Sequence, residues 1–468
     1  MRRVPDPARG HDSCTLSRPG LRGRQELDRS AGRAVSRGMR MSKSRVRALR
    51  GVTVVLAVLA LVGLTGGSAG AAGSFPAVDQ PGVSGTEIKV GGVTTASNDP
   101  TGGHLDTAYD GVKAYFASVN AKGGVYGRKL VLDTKHDDQL ANNRGEVQAL
   151  LNNDDVFAVL PVAVQLFSGS KLLADGKVPT YGWDINEEWG SENNTPGPSN
   201  FFTQIGGYHC FTCASASPQT WLPKKLGKHR IGVLAFNVSQ STSCAEGLEK
   251  SFKKYPTAKI VFMDKSLTFG TPDYSAQVAQ MKDKNVDMVI SCIDGNGATT
   301  LGREMKKQGL NAVQLLPNSY NHELIKKNAQ VLNGSYLFTT YAPFEATPQS
   351  TGMKNYLKWI KKTGGTKNEN SLVGWINADE FVAGLKAAGP NFTQQKVVDA
   401  TNAITSYNAG GLVAPIDWTV AHHKDIECYA VEKVVNGGFK PMYGKKGKPF
   451  LCFPSTLKKM PANPKVSA

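Results

Sequence analysis

The sequence is poor in the patterns that mark enzymes and nucleic-acid-binding proteins. Residues 74–468 contain four arginines at separate positions, whereas nucleic-acid-binding proteins cluster arginine with interleaved aromatic residues. Gly91 and Gly92 lack the third glycine of a dinucleotide site, and no Gly-Lys-Ser/Thr phosphate loop occurs. The segment 167–170 is not a nucleophile elbow, which needs glycines two residues before and after the serine. We therefore expect no catalytic residues, no cofactor and no nucleic-acid partner.

Most of the positive charge lies in the first 73 residues. This segment holds thirteen arginines and one lysine against four acidic residues, which gives +10 of the formal net charge of +17. A basic stretch at 43–50, an apolar run at 52–64 and small residues at 68–73 follow one another, as in a secretory signal peptide. We interpret residues 1–72 as a leader with a signal peptide, whose real start is Met39 or Met41.

A membrane anchor is the alternative interpretation of the apolar run. Its 13 residues are short for a span of about 20 residues, and the run ends among glycine and alanine. No cysteine comes directly after the run, so a lipid-anchored protein is not expected. We predict an exported protein that begins near Ala72 or Gly73 and lies outside the cytoplasmic membrane.

Cysteine usage agrees with export. Six of the seven cysteines lie outside the leader, and an even number in an exported chain suggests disulfides. The segment from His209 to Cys213 could form half of a zinc site or a redox Cys-x-x-Cys motif. A zinc site needs a second pair of ligands. Because no such pair recurs at a comparable spacing, we expect no metal.

Length and periodicity predict two α/β domains. The 468 residues exceed one ordinary domain. From about Thr86 onward, strand and helix signals alternate. The run from Ile231 to Phe236 is typical of a buried strand, and Ser243 with Glu246 forms a capping-box pattern that predicts the start of the next helix. Strands that alternate with helices indicate parallel sheets with helices on both faces.

Polar and aromatic residues follow the predicted strands, where ligands bind in sheets of this type. Their amides, hydroxyls, carboxylates and rings suit hydrogen bonding to a polar molecule that has an apolar face. The alternative for any one position is that Asp or Asn merely caps a helix. The segments concerned are 98–99, 165–170, 181–184, 237–239, 294–296 and 318–320.

Several motifs, taken in order, resemble one known family. The sequence NAKGGVYGRKL at 120–130 is the most specific of them. The others are Ile88–Gly91, Asp137–Asp138, Asp273–Ala276, Asp287–Val289 and Asp417–Trp418. Over residues 86–455 the chain resembles the leucine/isoleucine/valine-binding protein family, the type I periplasmic solute-binding proteins of ABC importers.

This resemblance implies an α/β fold with two doubly wound parallel-sheet lobes joined by three crossover strands. Lobe 1 would comprise 86–205 plus 343–426, and lobe 2 would comprise 206–342 plus 427–455, followed by a flexible tail at 456–468. The resemblance also implies a monomer whose lobes close on a small polar solute, such as an amino acid or an amide. The solute would then pass to the membrane permease subunits of an ABC importer.

Alignment with the family also gives candidate ligand contacts. The family's serine contact falls in the region 165–168, its next loop falls at 183–186, and its second-lobe aromatic falls near 294–296. Asn318 stands where the family has an acidic partner for an α-ammonium group, and Cys244 replaces an aromatic residue. Two classes of ligand therefore remain possible. One is a cation that pairs with an Asp, and the other is a neutral amide or urea-like compound. The candidate contacts are Gln165, Ser168, Trp183 and Asp184 from lobe 1, and Asp294, Asn318 and Tyr320 from lobe 2.

The same lobe assignment places all six cysteines in lobe 2 or at its edge. It suggests the pairs Cys428–Cys452, Cys244–Cys292 and Cys210–Cys213, among the many pairings that six cysteines allow. The second pair would lie at the strand-end mouth of lobe 2, where a bridge could shape the site.

Two other classes of function remain open. An extracellular ligand sensor of the same fold would need a membrane-spanning or signalling segment after residue 455, and 454–468 contains neither. An exported α/β enzyme would need a nucleophile and a base, and the sequence offers no such set.

Overall fold

The computed structural model describes residues 75–99, 101–190, 195–317 and 319–467. The predicted leader at 1–72, with its apolar run at 52–64, lies outside these residues. Within them, no helix is both long and apolar enough to cross a membrane.

The first sheet has five parallel strands. These strands are β1 (Glu87–Thr94), β2 (Lys129–Asp137), β3 (Ala158–Leu160), β4 (Thr180–Gly182) and β5 (Phe201–Thr203). The helices between them are α1 (Ala108–Asn120), α2 (Asn143–Asn152) and α3 (Ser170–Asp175). The strand order is β2-β1-β3-β4-β5. Val90 and Val93 of β1 are fully buried, as expected for a parallel strand that is covered on both faces.

The second sheet begins with five parallel strands, with one helix before them and the others between them. The strands are β6 (Arg230–Phe236), β7 (Lys259–Leu267), β8 (Met288–Cys292), β9 (Val313–Leu315) and β10 (Tyr336–Thr339). The helices are α4 (Pro218–Lys225), α5 (Ser239–Lys254), α6 (Ser275–Asp283), α7 (Gly295–Gln308), α8 (His322–Lys327) and α9 (Ala329–Leu332). Helix α5 begins four residues before the predicted capping box, so Ser243 lies inside it. The capping-box prediction was wrong at this position because the helix starts directly after the loop that leaves β6.

The chain then returns to the first sheet with four helices. They are α10 (Thr351–Lys362), α11 (Glu369–Ala388), α12 (Gln394–Asn402) and α13 (Trp418–Ala421). Helix α11 packs closely against α1, and glycine makes the contact possible. A Cβ atom on Gly111 would lie 1.7 Å from the main-chain oxygen of Ser371, so a larger residue would force the two helices apart.

The last segment extends the second sheet with antiparallel strands. They are β11 (Cys428–Val435), β12 (Gly438–Met442), β13 (Phe450–Cys452) and β14 (Lys465–Ser467). The main path is β14-β13-β11-β10-β9-β8-β6-β7, with β12 beside β11. The second sheet is therefore mixed rather than wholly parallel.

The C-terminal segment is not the flexible tail that was expected at 456–468. Val466 pairs with Leu451 in the sheet. The indole Nε1 of Trp221 donates to the main-chain oxygen of Ala462 at 3.2 Å, and Met460 is buried. Strand β14 covers the backbone groups that β13 would otherwise expose at its edge.

Two lobes follow from the two sheets, and the chain crosses between them after β5, after β10 and after α13. The precise lobe limits at 205/206, 342/343 and 426/427 stay predictions.

The described part of the chain contains three disulfides, all in the second lobe or at its edge, and they are the pairs suggested above. The Cα atoms lie 5.3 Å apart in Cys210–Cys213, 5.9 Å apart in Cys244–Cys292 and 4.1 Å apart in Cys428–Cys452. Cys428 and Cys452 are register partners in β11 and β13. The bridge between them therefore ties the C-terminal extension to the rest of the sheet.

Candidate functional site

A cavity of about 1020 Å³ lies between the lobes. Its walls are the loops that follow β1, β3 and β4 in the first lobe and β6, β8 and β9 in the second. The crossover segments and the start of α11 complete it. The carboxyl ends of both sets of parallel strands therefore face one space, as expected for ligand sites in doubly wound sheets.

Most of the predicted contact residues meet at this cavity. Those that line it are Gln165, Trp183, Asp184, Asp294 and Tyr320. Ser168 is exposed on the surface and is not part of the lining. Its neighbour Phe167 is buried and stacks on Trp189, with ring centroids 5.0 Å apart, so the chain turns Ser168 outward. Asn318 lies outside the described residues, although its neighbours Pro317 and Ser319 line the cavity.

Asp184, which follows β4, is the most unusual polar group of the site. The residue is 5% exposed, and neither of its carboxylate oxygens has a hydrogen-bond partner among the described residues. Burial raises the pKa of Asp184 to about 7, with His209 opposing this shift and Asp425 and Glu188 adding to it. A buried carboxylate is costly without a partner, so this side chain suits a donor or a cation that comes from a ligand.

His209 lies on the cavity wall beside the first crossover. Its Nδ1 atom is 2.8 Å from Oδ1 of Asp425. Burial alone would lower the pKa of His209, but the carboxylates of Asp425 and Asp184 raise it, and the net shift is upward. The partnership of His209 with Asp425 spans 216 residues of sequence, and no local pattern in the sequence pointed to it.

Asp294 and Tyr320 already have partners in the protein. Oδ1 of Asp294 accepts from the main-chain nitrogen of Gly297 at 2.6 Å and caps α7, which is the alternative role considered for such positions. The hydroxyl of Tyr320 donates to Glu345 at 2.5 Å and accepts from the nitrogen of Phe344 at 2.6 Å. Both residues can shape the cavity, but Asp184 is better placed to bind a charged ligand group.

A pair of acidic residues near the second crossover, half-buried Glu369 and buried Glu432, was not predicted. Tyr341 donates to Glu369, and burial raises the pKa of Glu369 to about 7. Burial likewise raises the pKa of Glu432, whose two carboxylate oxygens have no partner in the described part of the chain. Glu369 lines the cavity, and the negative charges of Glu345 and Glu369 add to the upward shift of the pKa of Glu432. The described residues include no cluster of three His, Cys, Asp or Glu side chains that could hold a metal ion.

Hydrogen bonds join the two lobes across the cavity mouth. Nε2 of Gln240, in the second lobe, donates to the main-chain oxygen of Gln165 at 3.1 Å. Nδ2 of Asn296 donates to the main-chain oxygen of Thr101 at 2.7 Å. These contacts hold the lobes together around the cavity.

Comparison with known proteins agrees with this architecture. The sequence profile of the family described as periplasmic binding protein matches residues 87–439. The chain is 24% identical over 355 residues to the leucine-specific-binding protein of Salmonella typhimurium, covering 73% of this chain and 89% of that protein. It is 29% identical over 210 residues to the Leu/Ile/Val-binding protein of Citrobacter freundii. This match covers 43% of this chain and 53% of that protein, so the chain spans about half of that relative's length.

Solved structures share the fold at low sequence identity. A branched-chain amino acid ABC transporter protein from Thermus thermophilus with bound valine has a TM-score of 0.62 and 16% identity, covering 80% of this chain and 97% of that one. A solute-binding protein from R. palustris in complex with benzoate has a TM-score of 0.61 and 15% identity. The match covers 79% of this chain and 98% of that one. The chain thus belongs to the periplasmic binding protein family, with the type I fold of the leucine/isoleucine/valine-binding proteins.

Proposed function

We propose that this protein is the extracytoplasmic substrate-binding protein of an ABC importer. It would leave the cytoplasm through the predicted leader at 1–72, capture a small polar solute as a monomer and present it to the permease subunits. The relatives are named for the binding of amino acids rather than for a reaction, and we extend this non-enzymatic role to the present chain.

One observation carries the proposal: the buried carboxylate of Asp184 lies on a cavity lined by residues of both lobes. A ligand favours closure only when it binds the closed form better than the open form, so both lobes must contact it. Gln165, Trp183 and Asp184 offer contacts from the first lobe, and Asp294 and Tyr320 offer contacts from the second. Asn318 remains a proposed contact on the evidence of its two neighbours.

The solute should present a hydrogen-bond donor or a cationic group to Asp184. A donor would occupy an oxygen that otherwise finds no partner among the described residues, and a cation would also compensate the buried charge. An amino acid, an amide or a similar polar compound meets this requirement. The names of the relatives and of the structural neighbours, which refer to leucine, valine and benzoate, place amino acids and aromatic acids first in a screen.

The test is a thermal-shift screen of amino acids, amides and aromatic carboxylates, followed by small-angle X-ray scattering with each compound that binds. The proposal predicts that at least one compound raises the melting temperature and reduces the radius of gyration as the lobes close. The absence of any stabilising compound in the three classes, or binding without any compaction, would contradict it.

A further inference from the structure

We propose that the solute carries an apolar chain or ring, and that this part lodges in a chamber inside the second lobe. This chamber, the lobe-2 chamber, is the extension of the interlobe cavity that is lined by Phe211, Leu248, Ile290, Leu315, Phe338 and Tyr429. The inference rests on the proposed function and narrows the solute to an amphipathic molecule.

The floor of the chamber is one face of the second sheet. Ile290 of β8 is the register partner of Leu315 of β9, so the two side chains point to the same face. Leu315 is paired with Tyr336, two residues before Phe338 in β10. Phe338 is in turn paired with Val431, two residues after Tyr429 in β11. Because side chains alternate along a strand, all four floor residues face the chamber side.

The roof is α5 together with the loop that contains the Cys210–Cys213 disulfide. The main-chain nitrogen of Ser215 donates to Oγ of Ser251 on α5 at 3.0 Å, which fixes the loop against the helix. A Cβ atom on Gly247 would lie 2.0 Å from the main-chain oxygen of Phe211, so glycine is what lets the loop approach so closely. The Cys244–Cys292 disulfide joins this roof to the floor strand β8.

The six residues that define the chamber are aliphatic or aromatic, although Gln219 of α4 and Ser251 of α5 add polar groups to the lining. A mainly apolar space of this kind calls for an apolar occupant. Protein interiors are normally close-packed, and cavities lined by aliphatic and aromatic side chains stay dry and take up apolar molecules. The total cavity, about 1020 Å³, is at the upper end of the roughly 300–1,000 Å³ of small-molecule sites. A free amino acid of leucine's size would leave much of it empty.

The two ends of the cavity differ in chemistry, and this difference sets the orientation of the solute. Asp184 and His209 line the cavity near the first crossover, whereas the chamber residues Phe211 and Phe338 are half-buried and line it within the second lobe. A polar head at Asp184 and an apolar body along Phe211 and Phe338 would use both ends and would contact both lobes.

The experiment measures binding of three straight-chain series by calorimetry: primary amines, primary amides and carboxylates, each with two to ten carbons. In at least one series we expect the Kd to fall by about fourfold for each added methylene until the chamber is filled. The inference is overturned if no series binds, or if the Kd in every series that binds is independent of chain length.

Variants locate the effect. Phe338→Trp and Ile290→Phe add volume to the chamber floor. Phe262→Trp is the control, because it adds the same volume as Phe338→Trp to the hydrophobic cluster on the other side of the sheet. With folding checked by melting temperature, either chamber variant should weaken the longest ligands at least tenfold and change the shortest less than twofold. Equal effects of Phe338→Trp and Phe262→Trp on long chains would contradict the inference.

Failure of this inference is distinguishable from failure of the proposed function. A polar solute that compacts the protein while the three series show no dependence on chain length would remove the chamber proposal alone. The absence of any ligand-induced compaction would remove the proposed function itself.

Discussion

Nε2 of Gln240 lies 3.1 Å from the main-chain oxygen of Gln165, and the two residues belong to different lobes. The amide of Asn186 donates to the same oxygen at 2.7 Å, so this acceptor is held in place by its own lobe while Gln240 approaches from the other. The pair forms a latch between the lobes, with the bond from Asn296 to Thr101 as a second one.

Removal of the latch should shorten the lifetime of the closed complex. We expect Gln240→Ala to raise the Kd of a bound solute about two- to tenfold, the worth of one neutral hydrogen bond, chiefly through faster dissociation. Stopped-flow measurement of the dissociation rate checks this. Gln277→Ala is the matched control, because its amide bonds to Asp264 within the second lobe. Equal dissociation rates for Gln240→Ala and the control would show that the latch has no part in closure.

Asp294 should contribute more to the free energy of unfolding than to solute affinity. Because it caps α7, we expect Asp294→Ala to lower the free energy of unfolding by about 1 kcal/mol. Asp294→Asn, which keeps a capping oxygen, should lose much less. Urea unfolding of both variants tests this assignment. A wild-type stability for Asp294→Ala together with a large loss of solute affinity would reverse the roles proposed for Asp294 and Asp184.

The contribution of Asp184 and Glu369 to the stability of the unliganded protein should fall as the pH rises from about 4 to about 7. The pKa of Asp184 and that of Glu369 are each raised to about 7 by burial, so the folded protein keeps protons that the unfolded chain releases. Each group should cost on the order of 1.4 kcal/mol per pH unit over this window and nothing further above it. Their contribution to stability is fully present below pH 4.

Urea unfolding at pH 5 and at pH 7 measures this slope. Asp184→Asn and Glu369→Gln should each make the dependence on pH shallower by about one proton, and Asp175→Asn, an exposed carboxylate paired with Lys171, should leave it unchanged. A wild-type slope in both buried variants would show that these carboxylates are ionised in the folded state.

The disulfides should differ in their effect on stability because they close loops of different length. Cys244 and Cys292 are separated by 48 positions, and Cys210 and Cys213 by three. In the chain-entropy account, removal of the first bridge should cost roughly 4 kcal/mol and removal of the second roughly 2 kcal/mol. Unfolding of the two double Cys→Ala variants gives the comparison. A larger loss for the Cys210–Cys213 variant would contradict this order.

The fold was accessible from sequence because its signals are local. The run from Ile231 to Phe236 predicted β6, which is Arg230–Phe236, and alternation with helices predicted the parallel sheets. The antiparallel extension was missed because Lys465–Ser467 pairs with Phe450–Cys452, and neither short segment shows a strand pattern by itself. Which edge they extend depends on the rest of the sheet.

The site was accessible only in part. Gln165, Trp183 and Asp184 were predicted because they directly follow predicted strands, and the topology places the ends of those strands at the cavity. The burial of Asp184 and the partnership of His209 with Asp425 depend on segments far apart in sequence, and the outward turn of Ser168 depends on the packing of Phe167 against Trp189. The lobe-2 chamber had no sequence signal, because its lining consists of ordinary strand and helix residues.

The central claim is that a solute binds between the lobes through Asp184. Its most direct test is calorimetric titration of a solute found by the screen against wild type, Asp184→Ala and the control Asp175→Ala. We expect Asp184→Ala to lose roughly 2–5 kcal/mol of binding free energy because the ligand's donor or charge loses its buried partner, and the control to bind as wild type does. Binding by Asp184→Ala as tight as that of the wild type would contradict the account.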